Sequence, residues 1–430
     1  MRIAYALLTR LLTPFLLAYL WWRGLRSPAY RQRIPERFGH GPACVKEPCI
    51  WLHAVSVGEV QAAEPLVRHL LKRYPDRPLV LTTMTPTGSE RVEELFGEAV
   101  VHSYVPLDLP RAVRRFFGWA RPQLAIIMET ELWPNIYREC RREGVPLLLA
   151  SARISARSLR WYRRLGHLIR DTLSGGVVVA AQSEADAERF IELGANPDNT
   201  CVTGNIKFDF TVPAGTVERG REFRAVQAPN RPVWIAASTH ADEEQTLLVV
   251  HAKVRAAHPD ALLILVPRHP ERFGRVGELL EQHTMRYVTR SSGACCTAET
   301  SVFLGDTMGE LQQLYAAADV AFVAGSLVPI GGHNLLEPAA LGLPVLTGPH
   351  NFNAPDILAV LSESGAAQAV ADSEELAERL VVLLGDEAER RRRGAAGRLV
   401  LEHNGGALQR VLALVETLAA TGSASGAAHG

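Results

Sequence analysis

The sequence predicts an α/β protein of two doubly wound, Rossmann-like domains that face each other across a cleft. A chain of 430 residues with 47% hydrophobic content is long enough for two domains of ordinary size. From residue 48, short continuous apolar runs alternate with amphipathic stretches, as in parallel sheets covered by helices on both faces. This rhythm breaks at 211–232 and then starts again, which indicates a second domain.

The predicted strands form two series. In the first series they lie at 50–57, 78–83, 100–105, 124–128, 146–150, 177–181 and 200–203, with helices such as 60–73 and 134–142 between them. In the second series they lie at 233–237, 262–266, 286–289, 301–304, 320–324 and 344–346. The segment between the series is interpreted as a linker, and the alternative is a surface loop plus a helix inside one domain. The predicted divisions are an N-terminal segment (1–40), a first Rossmann-like domain (41–210), a linker (211–232), a second Rossmann-like domain (233–417) and a flexible tail (418–430).

The N-terminus departs from the composition of a water-soluble domain. Residues 3–22 are apolar apart from Arg10 and two threonines, and they end in Trp21 and Trp22, after which arginines follow. Tryptophans followed by arginines are typical of the cytoplasmic membrane interface. A cleaved signal peptide would carry its charges first. We therefore expect a membrane anchor that either spans the bilayer or lies in its interface, with the rest of the chain cytoplasmic; the alternative is an amphipathic helix packed on the protein.

Charge and cysteine content exclude several classes of protein. The 46 basic and 46 acidic residues balance, so no overall field favours nucleic acid as a partner. The first 40 residues, however, hold seven arginines and one glutamate, which suits an anionic surface. The six cysteines form no CxxC pair and have no zinc-site spacing, so neither a disulfide framework nor a zinc site is expected.

Three polar groups follow predicted strands of the first domain. Glu59 begins a helix after Gly58, and it is either a capping residue or a general base for an acceptor hydroxyl. Glu129 and Glu131 follow the next apolar strand; capping explains one of them, and the other could order a cation or raise the pKa of a neighbouring acid. Lys207 ends the series, and it either forms a surface pair with Asp209 or reaches an anionic substrate.

The segment 321–348 carries the strongest functional pattern. An apolar strand leads into a glycine-rich turn and then into a short helix predicted to hold His333, Asn334 and Glu337. Free backbone N–H groups and a helix N-terminus favour an anion, and a carboxylate in that helix suits the vicinal hydroxyls of a ribose. The pattern therefore predicts a site for a sugar nucleotide.

Other strand-end loops of the second domain are also polar. They contain 237–240, 266–270 and 305–310, and Arg268 is the natural clamp for a phosphate. Each loop alone could be a turn with a helix cap, but their recurrence at strand ends favours a ligand site. The sequence lacks GxxxxGK[ST], a GxGxxG after the first strand, Asp-x-Asp and HExxH, so neither a P-loop, a dinucleotide dehydrogenase nor a divalent-metal site is indicated.

As a set, these residues resemble the 3-deoxy-D-manno-octulosonic acid (Kdo) transferases of Gram-negative lipopolysaccharide synthesis. The resemblance covers nearly the whole chain, and it rests on the motifs at 55–59, 128–135, 204–209, 267–270 and 331–338. It implies a GT-B fold, no metal or other cofactor, and inverting transfer of Kdo from CMP-Kdo to a lipid A precursor at the cytoplasmic face of the inner membrane.

The resemblance also implies roles for individual residues. Glu59 matches the proton acceptor of the family, and Glu129 and Lys207 match residues that assist the transition state. The residues that match the CMP-binding segments are Pro267, Arg268, Met308, Gly309, Glu310, Asn334, Leu335, Leu336 and Glu337.

Two alternatives remain open on the sequence. One is another GT-B transferase or an epimerase that uses a UDP-sugar. The other is a membrane-tethered protein that binds a nucleotide or lipid without turnover, although the carboxylates Glu59 and Glu129 beside Lys207 argue against a pure binder.

Overall fold

A computed structural model describes residues 2–42, 45 and 47–426. The chain divides into two compact units. The first unit comprises Met1–Asp209 together with Gly405–Gly430, and the second comprises Phe210–Asn404.

The first unit is built on a seven-stranded parallel sheet. Its strands are β1 (Cys49–His53), β2 (Leu79–Thr83), β3 (Val101–Tyr104), β4 (Pro122–Met128), β5 (Leu147–Ala152), β6 (Val177–Ala181) and β7 (Thr200–Val202). Its helices up to residue 209 are α1 (Arg2–Arg26), α2 (Ile34–Arg37), α3 (Val57–Arg73), α4 (Pro86–Phe96), α5 (Pro110–Ala120), α6 (Pro134–Arg142), α7 (Ala156–Leu165), α8 (His167–Leu173) and α9 (Glu184–Leu193). Short 3-10 turns lie at Pro28–Arg31, Gly97–Ala99, Pro197–Asn199 and Ile206–Phe208.

The second unit has a seven-stranded sheet of its own, which is also parallel. Its strands are β8 (Val233–Thr239), β9 (Leu262–Pro267), β10 (Tyr287–Thr289), β11 (Val302–Leu304), β12 (Val320–Val323), β13 (Val345–Thr347) and β14 (Ala367–Ala369). Its helices are α10 (Thr216–Gln227), α11 (Glu244–Ala257), α12 (Phe273–Gln282), α13 (Leu311–Ala316), α14 (Leu336–Ala340), α15 (Pro355–Glu363), α16 (Ser373–Gly385) and α17 (Glu387–Asn404), with a 3-10 turn at Pro270–Arg272. The last helix of the chain, α18 (Ala407–Gly426), lies in the first unit.

Strand order places one topological switch point in each sheet. The first sheet runs β3-β2-β1-β4-β5-β6-β7, so β2 and β3 lie on one side of β1 and the strands from β4 onward lie on the other. The second runs β10-β11-β9-β8-β12-β13-β14, with the corresponding change of side between β8 and β12. In parallel α/β sheets, ligands bind beyond the carboxyl ends of the strands at such a point. The loops after these four strands are therefore the places to look for a site.

Every predicted strand is present, with ends displaced by a few residues. β1 ends at His53 rather than at Val57, because α3 already begins at Val57 behind the N-cap residue Ser56. Burial agrees with sheets that are covered on both faces, because β1, β2 and β8 are buried along their whole length. Among the described strands only β14 was not predicted, because its sequence Ala-Gln-Ala is not a continuous apolar run.

The predicted domain boundary at residue 417 is wrong, because it places residues 405–417 in the second domain whereas they belong to the first unit. Helix α18 packs on the first sheet, not the second, because Val411, Leu412 and Val415 bury against the face that contains Leu124 and Ile126. These side chains follow the helical period of three to four residues, which is the reason the segment covers a sheet. The predicted flexible tail at 418–430 is likewise helical up to Gly426, and 427–430 lie outside the described residues.

Asp209 holds the start of α18. Its carboxylate accepts hydrogen bonds from the backbone N–H groups of Gly406 (2.5 Å) and Leu408 (2.6 Å), and it caps the helix N-terminus in this way. The Arg410 guanidinium donates to the carbonyl oxygen of Thr203 at 2.8 Å. The segment 203–209, which carries Lys207, is thus fixed by the last helix of the chain.

The predicted linker at 211–232 is only partly a linker. It contains helix α10, in which Gly220 packs tightly enough against Ala316 of α13 that a Cβ atom would lie 2.4 Å from the Ala316 methyl group. The helix therefore belongs to the second unit, as in the alternative of a loop plus a helix within one domain.

Helix α1 includes the whole apolar stretch 3–22 of the predicted anchor and ends at Arg26. Most of its large apolar side chains are exposed: Leu7, Leu8, Leu11, Leu12, Phe15, Tyr19, Trp21, Trp22 and Leu25. No helix in the described part of the chain combines enough length with enough apolar character to traverse a bilayer. Anchoring at a membrane stays a prediction.

We expect Asp209→Ala to destabilise the first unit by about 1–2 kcal/mol, because the first turn of α18 loses its cap. The measurement is urea unfolding followed by tryptophan fluorescence, with amide exchange at Leu408 as a local probe. Asp76→Ala, on an exposed turn of the same unit, is the control and should change the free energy of unfolding by less than about 0.5 kcal/mol. Equal effects of the two substitutions would contradict the capping role.

Candidate active site

Glu59 lies at the switch point of the first sheet. It is the third residue of α3, which follows β1, and its Oε2 accepts a hydrogen bond from the backbone N–H of Val55 at 2.7 Å. Burial, together with the negative charges of Glu129 and Glu131, raises the pKa of Glu59 to about 8, although the Val55 N–H and Lys207 oppose the rise. A carboxyl group with this pKa can take up a proton near neutral pH.

Glu129 and Lys207 form an ion pair beside it. The Lys207 Nζ lies 2.8 Å from Glu129 Oε1, and both side chains are about three-quarters buried (24% and 22% exposed). Glu129 directly follows β4 and has a φ of 54°, a left-handed conformation that costs energy for a residue with a Cβ atom. Lys207 lies on the 3-10 turn Ile206–Phe208. Its backbone N–H donates a hydrogen bond to Asn205 Oδ1 at 3.0 Å.

The ion pair decides between the two sequence interpretations of Lys207. A surface pair with Asp209 is wrong, because Asp209 caps α18 and Lys207 pairs with Glu129. Glu131 is a separate acid: burial, together with the negative charge of Glu129, raises its pKa to about 7. Glu129 binds the Lys207 ammonium, and its negative charge and that of Glu131 act to raise the pKa of Glu59, in line with the expectation that one of these carboxylates orders a cation or raises the pKa of a neighbouring acid.

In the second unit, the polar loops meet at one edge of the sheet. The segments 305–310, 268–270, 240–243 and 324–335 follow β11, β9, β8 and β12, which are neighbours in that order and run parallel. Pro267 is the last residue of β9, and Arg268 follows it. Arg268 is close enough to Glu337 to oppose the rise in pKa that burial causes in that carboxyl group.

His240 and His333 form a pair across the switch point. Their Nε2 atoms lie 2.8 Å apart within hydrogen-bond distance, and the two ring planes are nearly parallel with centroids separated by 5.1 Å, so the rings meet edge to edge. Burial, each other's proximity and Arg268 lower the pKa of His333 to about 4. Gly325 lies beneath the pair with a φ of +69°, and a Cβ atom there would come within 2.9 Å of the His333 ring. Only glycine leaves the two rings in place.

The predicted anion site in the glycine-rich turn is already filled by a side chain. The fully buried carboxylate of Glu243 accepts hydrogen bonds from the backbone N–H groups of Gly325 (2.8 Å), Ser326 (3.2 Å) and Leu327 (3.1 Å). These N–H groups are therefore not available to a ligand phosphate. Glu243 instead fixes the turn, and burial raises its pKa against the effect of those N–H groups.

The helix expected to hold His333, Asn334 and Glu337 begins later than predicted. α14 starts at Leu336 behind Leu335, so His333 and Asn334 precede it. Asn334 accepts a hydrogen bond from the Leu336 N–H (3.0 Å) and donates one to Glu337 Oε1 (3.0 Å). The physical reason is that the Asn334 side chain makes a turn of its own before the helix.

In the segment 308–310, Met308 and Gly309 are exposed, whereas the Glu310 carboxylate is bound by another side chain. Met308 is exposed, and Gly309 has a φ of 84° in the turn. Glu310 faces inward, where its carboxylate binds the Arg290 guanidinium in a two-pronged pair and accepts a hydrogen bond from Thr307. Within this segment, the Glu310 carboxylate is committed to Arg290, and the exposed Met308–Gly309 backbone is what a ligand can reach.

Comparison with known proteins bears on the chemistry of these edges. A family model described as "3-Deoxy-D-manno-octulosonic-acid transferase (kdotransferase)" matches residues 32–210, and one described as "Glycosyl transferases group 1" matches residues 231–400. The chain is 43% identical over 418 residues to the 3-deoxy-D-manno-octulosonic acid transferase of Haemophilus influenzae, which covers 96% of this chain and 98% of that protein. The chain belongs to the Kdo transferase family.

Other similarities agree in extent and in fold. The Kdo transferase of Bordetella pertussis is 38% identical over 425 residues, with 96% of this chain and 98% of that protein covered. The solved structure of Anabaena HepE with UDP shares the fold at 17% identity and a TM-score of 0.53, with 87% and 100% of the two chains covered. This Kdo transferase is thus a glycosyltransferase of lipopolysaccharide biosynthesis with two Rossmann-like units.

Sequence reasoning missed two groups in this transferase. The motif around 237–240 indicated a polar loop, but the pairing of His240 with His333 arises only when β8 and β12 become neighbours. Glu243 was not among the predicted site residues. Its position four residues after the end of β8, at the switch point, is the signal that could have marked it as the carboxylate of the glycine turn.

We expect the pKa of Glu59 to respond to its neighbours in opposite directions. In Glu131→Gln the pKa should fall, because a negative charge that stabilises the protonated form is gone; in Lys207→Met it should rise, because a positive charge is gone. The measurement is carboxyl ¹³C NMR titration of glutamate-labelled enzyme, assigned with Glu59→Gln. Glu64→Gln, further along α3, is the control and should leave the Glu59 titration in place. Shifts of the same sign in both variants would contradict this geometry.

Proposed function

We propose that this transferase moves Kdo from CMP-Kdo to a lipid A precursor at the cytoplasmic face of the inner membrane, with inversion and without a metal. The observation that carries the proposal is the buried Glu59 carboxyl group, whose pKa burial raises to about 8, beside the Glu129–Lys207 ion pair. Membership of the Kdo transferase family supports the transferred sugar.

In the proposed reaction, Glu59 is the proton acceptor. Its carboxylate takes the proton from a sugar hydroxyl of the acceptor as that oxygen forms a bond to the anomeric carbon of Kdo. The bond between this carbon and the phosphate oxygen breaks on the opposite face, and CMP leaves with the electron pair. Attack opposite to the leaving group inverts the configuration. A base whose pKa lies near the working pH is best suited to this transfer.

Lys207 and Glu129 assist the transition state. The Lys207 ammonium supplies a fixed positive charge next to Glu59, where an anionic donor reacts. Glu129 holds Lys207 by a 2.8 Å hydrogen bond, so the charge is already oriented before the substrate arrives.

The edge of the second unit's sheet supports nucleotide binding. Arg268, directly after Pro267 at the end of β9, is placed to neutralise the phosphate of CMP as it leaves. Asn334 and Glu337, linked by a 3.0 Å hydrogen bond, suit the ribose hydroxyls, and the backbone at Leu335 and Leu336 completes that segment. Met308 and Gly309 offer an exposed backbone, which Glu310 fixes through Arg290.

Helix α1 supports a location at the membrane interface. Its exposed side chains include Leu11 (69% exposed) and Phe15 (73% exposed). Contact of such apolar side chains with water is unfavourable, and their burial at the headgroup boundary of a bilayer is favourable. Arg23 and Arg31 follow on the same segment and suit anionic lipid phosphates. At the membrane surface, the enzyme can bind an acceptor that is itself a lipid.

Glu59→Gln should lower kcat by about 10²–10⁴, because the amide keeps the shape of the side chain but does not accept the proton. In the wild type, kcat/KM for the acceptor should rise tenfold per pH unit below a pH of about 8 and level off above it, since only the ionised carboxylate is a base. The assay is mass spectrometry of the lipid A precursor after incubation with CMP-Kdo. Glu64→Gln is the control and should retain the wild-type rate; a Glu59→Gln enzyme that is folded and fully active would rule out the base.

CMP should bind more tightly than UDP, and Arg268→Lys should weaken CMP binding about tenfold, because a single ammonium does not reproduce the planar two-pronged contact of a guanidinium. Isothermal titration calorimetry with each nucleotide is the measurement. Arg275→Lys, on the exposed surface of α12, is the control and should bind CMP as the wild type does. Tighter binding of UDP than of CMP would favour a UDP-sugar enzyme instead.

A further inference from the structure

Tyr5 connects helix α1 to a residue distant in sequence. Its hydroxyl group donates a hydrogen bond to Asp108 Oδ2 at 2.8 Å, and Asp108 is only 5% exposed. Burial next to this carboxylate raises the pKa of Tyr5, so the hydroxyl remains a donor at every physiological pH. The N-terminal end of the exposed helix is thus fixed at one defined point of the first unit.

Asp108 is at the same time the cap of another helix. Its carboxylate accepts hydrogen bonds from the backbone N–H groups of Asn135 (3.0 Å) and Ile136 (2.9 Å), in the first turn of α6. The Asn135 side chain returns a bond of 2.6 Å to the Asp108 carbonyl oxygen. Asp108 therefore fixes the point at which α6 begins.

Helix α6 in turn holds the segment that carries the acidic site residues. The segment 129–133 lies between β4 and the start of α6. The buried Tyr137 of α6 donates a hydrogen bond from its hydroxyl group to the carbonyl oxygen of Glu131 at 2.9 Å. An unbroken series of contacts therefore runs from α1 through Asp108 and α6 to Glu131.

A second contact places the end of the N-terminal segment at the same edge of the sheet. The Arg33 guanidinium donates to Ser89 Oγ at 2.9 Å and lies 3.0 Å from His102 Nδ1. His102 lies on β3, and its Nε2 is 3.0 Å from the hydroxyl oxygen of Thr83, the last residue of β2. Asp108 also follows β3. The segment that contains α1 is therefore attached at both ends to the carboxyl-end edge, where the acids lie.

We propose that Tyr5 is a positioning residue through which the membrane-bound helix α1 orients the loop of Glu129 and Glu131 for the lipid acceptor. This inference rests on the proposed function, since it assumes that this loop acts on a lipid. A helix cap alone does not require Tyr5, because Asp108 already satisfies the N–H groups of α6 without it. The tyrosine adds a bond from α1, most of whose large apolar side chains are exposed.

The test uses the full-length Tyr5→Phe enzyme, which keeps the aromatic ring and loses the hydrogen bond. Tyr19→Phe is the matched control, because it removes an exposed tyrosine hydroxyl of the same helix, whose contact is with Arg23 four residues away. Transfer to the lipid A precursor is measured with the precursor in phosphatidylethanolamine–phosphatidylglycerol vesicles and, separately, in detergent micelles. Binding of each enzyme to the vesicles is measured by sedimentation.

We expect Tyr5→Phe to bind vesicles as the wild type does but to lose about tenfold in kcat on vesicles, with a much smaller loss in micelles and an unchanged KM for CMP-Kdo. The ratio of the two rates does not depend on how much enzyme is folded, so simple destabilisation would not change it. Tyr19→Phe should keep the wild-type ratio.

The outcomes separate the two proposals. An active wild type together with an unchanged vesicle-to-micelle ratio in Tyr5→Phe would overturn the positioning role and leave the proposed function standing. A wild type that forms no product from CMP-Kdo would overturn the proposed function, and this inference with it.

Discussion

The fold and the candidate site of this protein depend on how its buried carboxylates are stabilised. A buried carboxylate is stable only if it is hydrogen-bonded, paired with a cation or protonated. Glu243 receives backbone N–H bonds from three successive residues of one turn, and Asp108 receives two from a helix N-terminus. Glu59 receives one, from Val55, and stands among other acids. Of these three carboxylates, Glu59 has the fewest hydrogen-bond donors, and its pKa is raised to about 8.

The general plan of the fold was predictable from the chain alone. Continuous apolar runs such as 177–181 are read without ambiguity when each is followed by a turn and an amphipathic helix. The candidate acids were predictable for the same reason. Because the carboxyl ends of parallel strands share one edge, Glu59 after β1 and Glu129 after β4 had to be neighbours once the strand order was known.

Pairings between distant segments were not predictable in this way. The domain to which 407–426 belongs depends on which sheet face is left uncovered, and local periodicity is the same for either sheet. The filling of the glycine turn by Glu243 depends on a side chain 82 residues earlier in the chain. The register that brings His240 against His333 is likewise a property of two strands, not of either sequence segment.

The return of α18 to the first unit has a consequence for biosynthesis. During translation, the face of the first sheet around Leu124 and Ile126 stays without its cover until residues 407–426 have left the ribosome. The second unit, Phe210–Asn404, is synthesised completely in the meantime. The first unit, which carries α1 and Glu59, is therefore completed after the second, so a nascent chain whose second unit is already complete still lacks the last helix of its first unit.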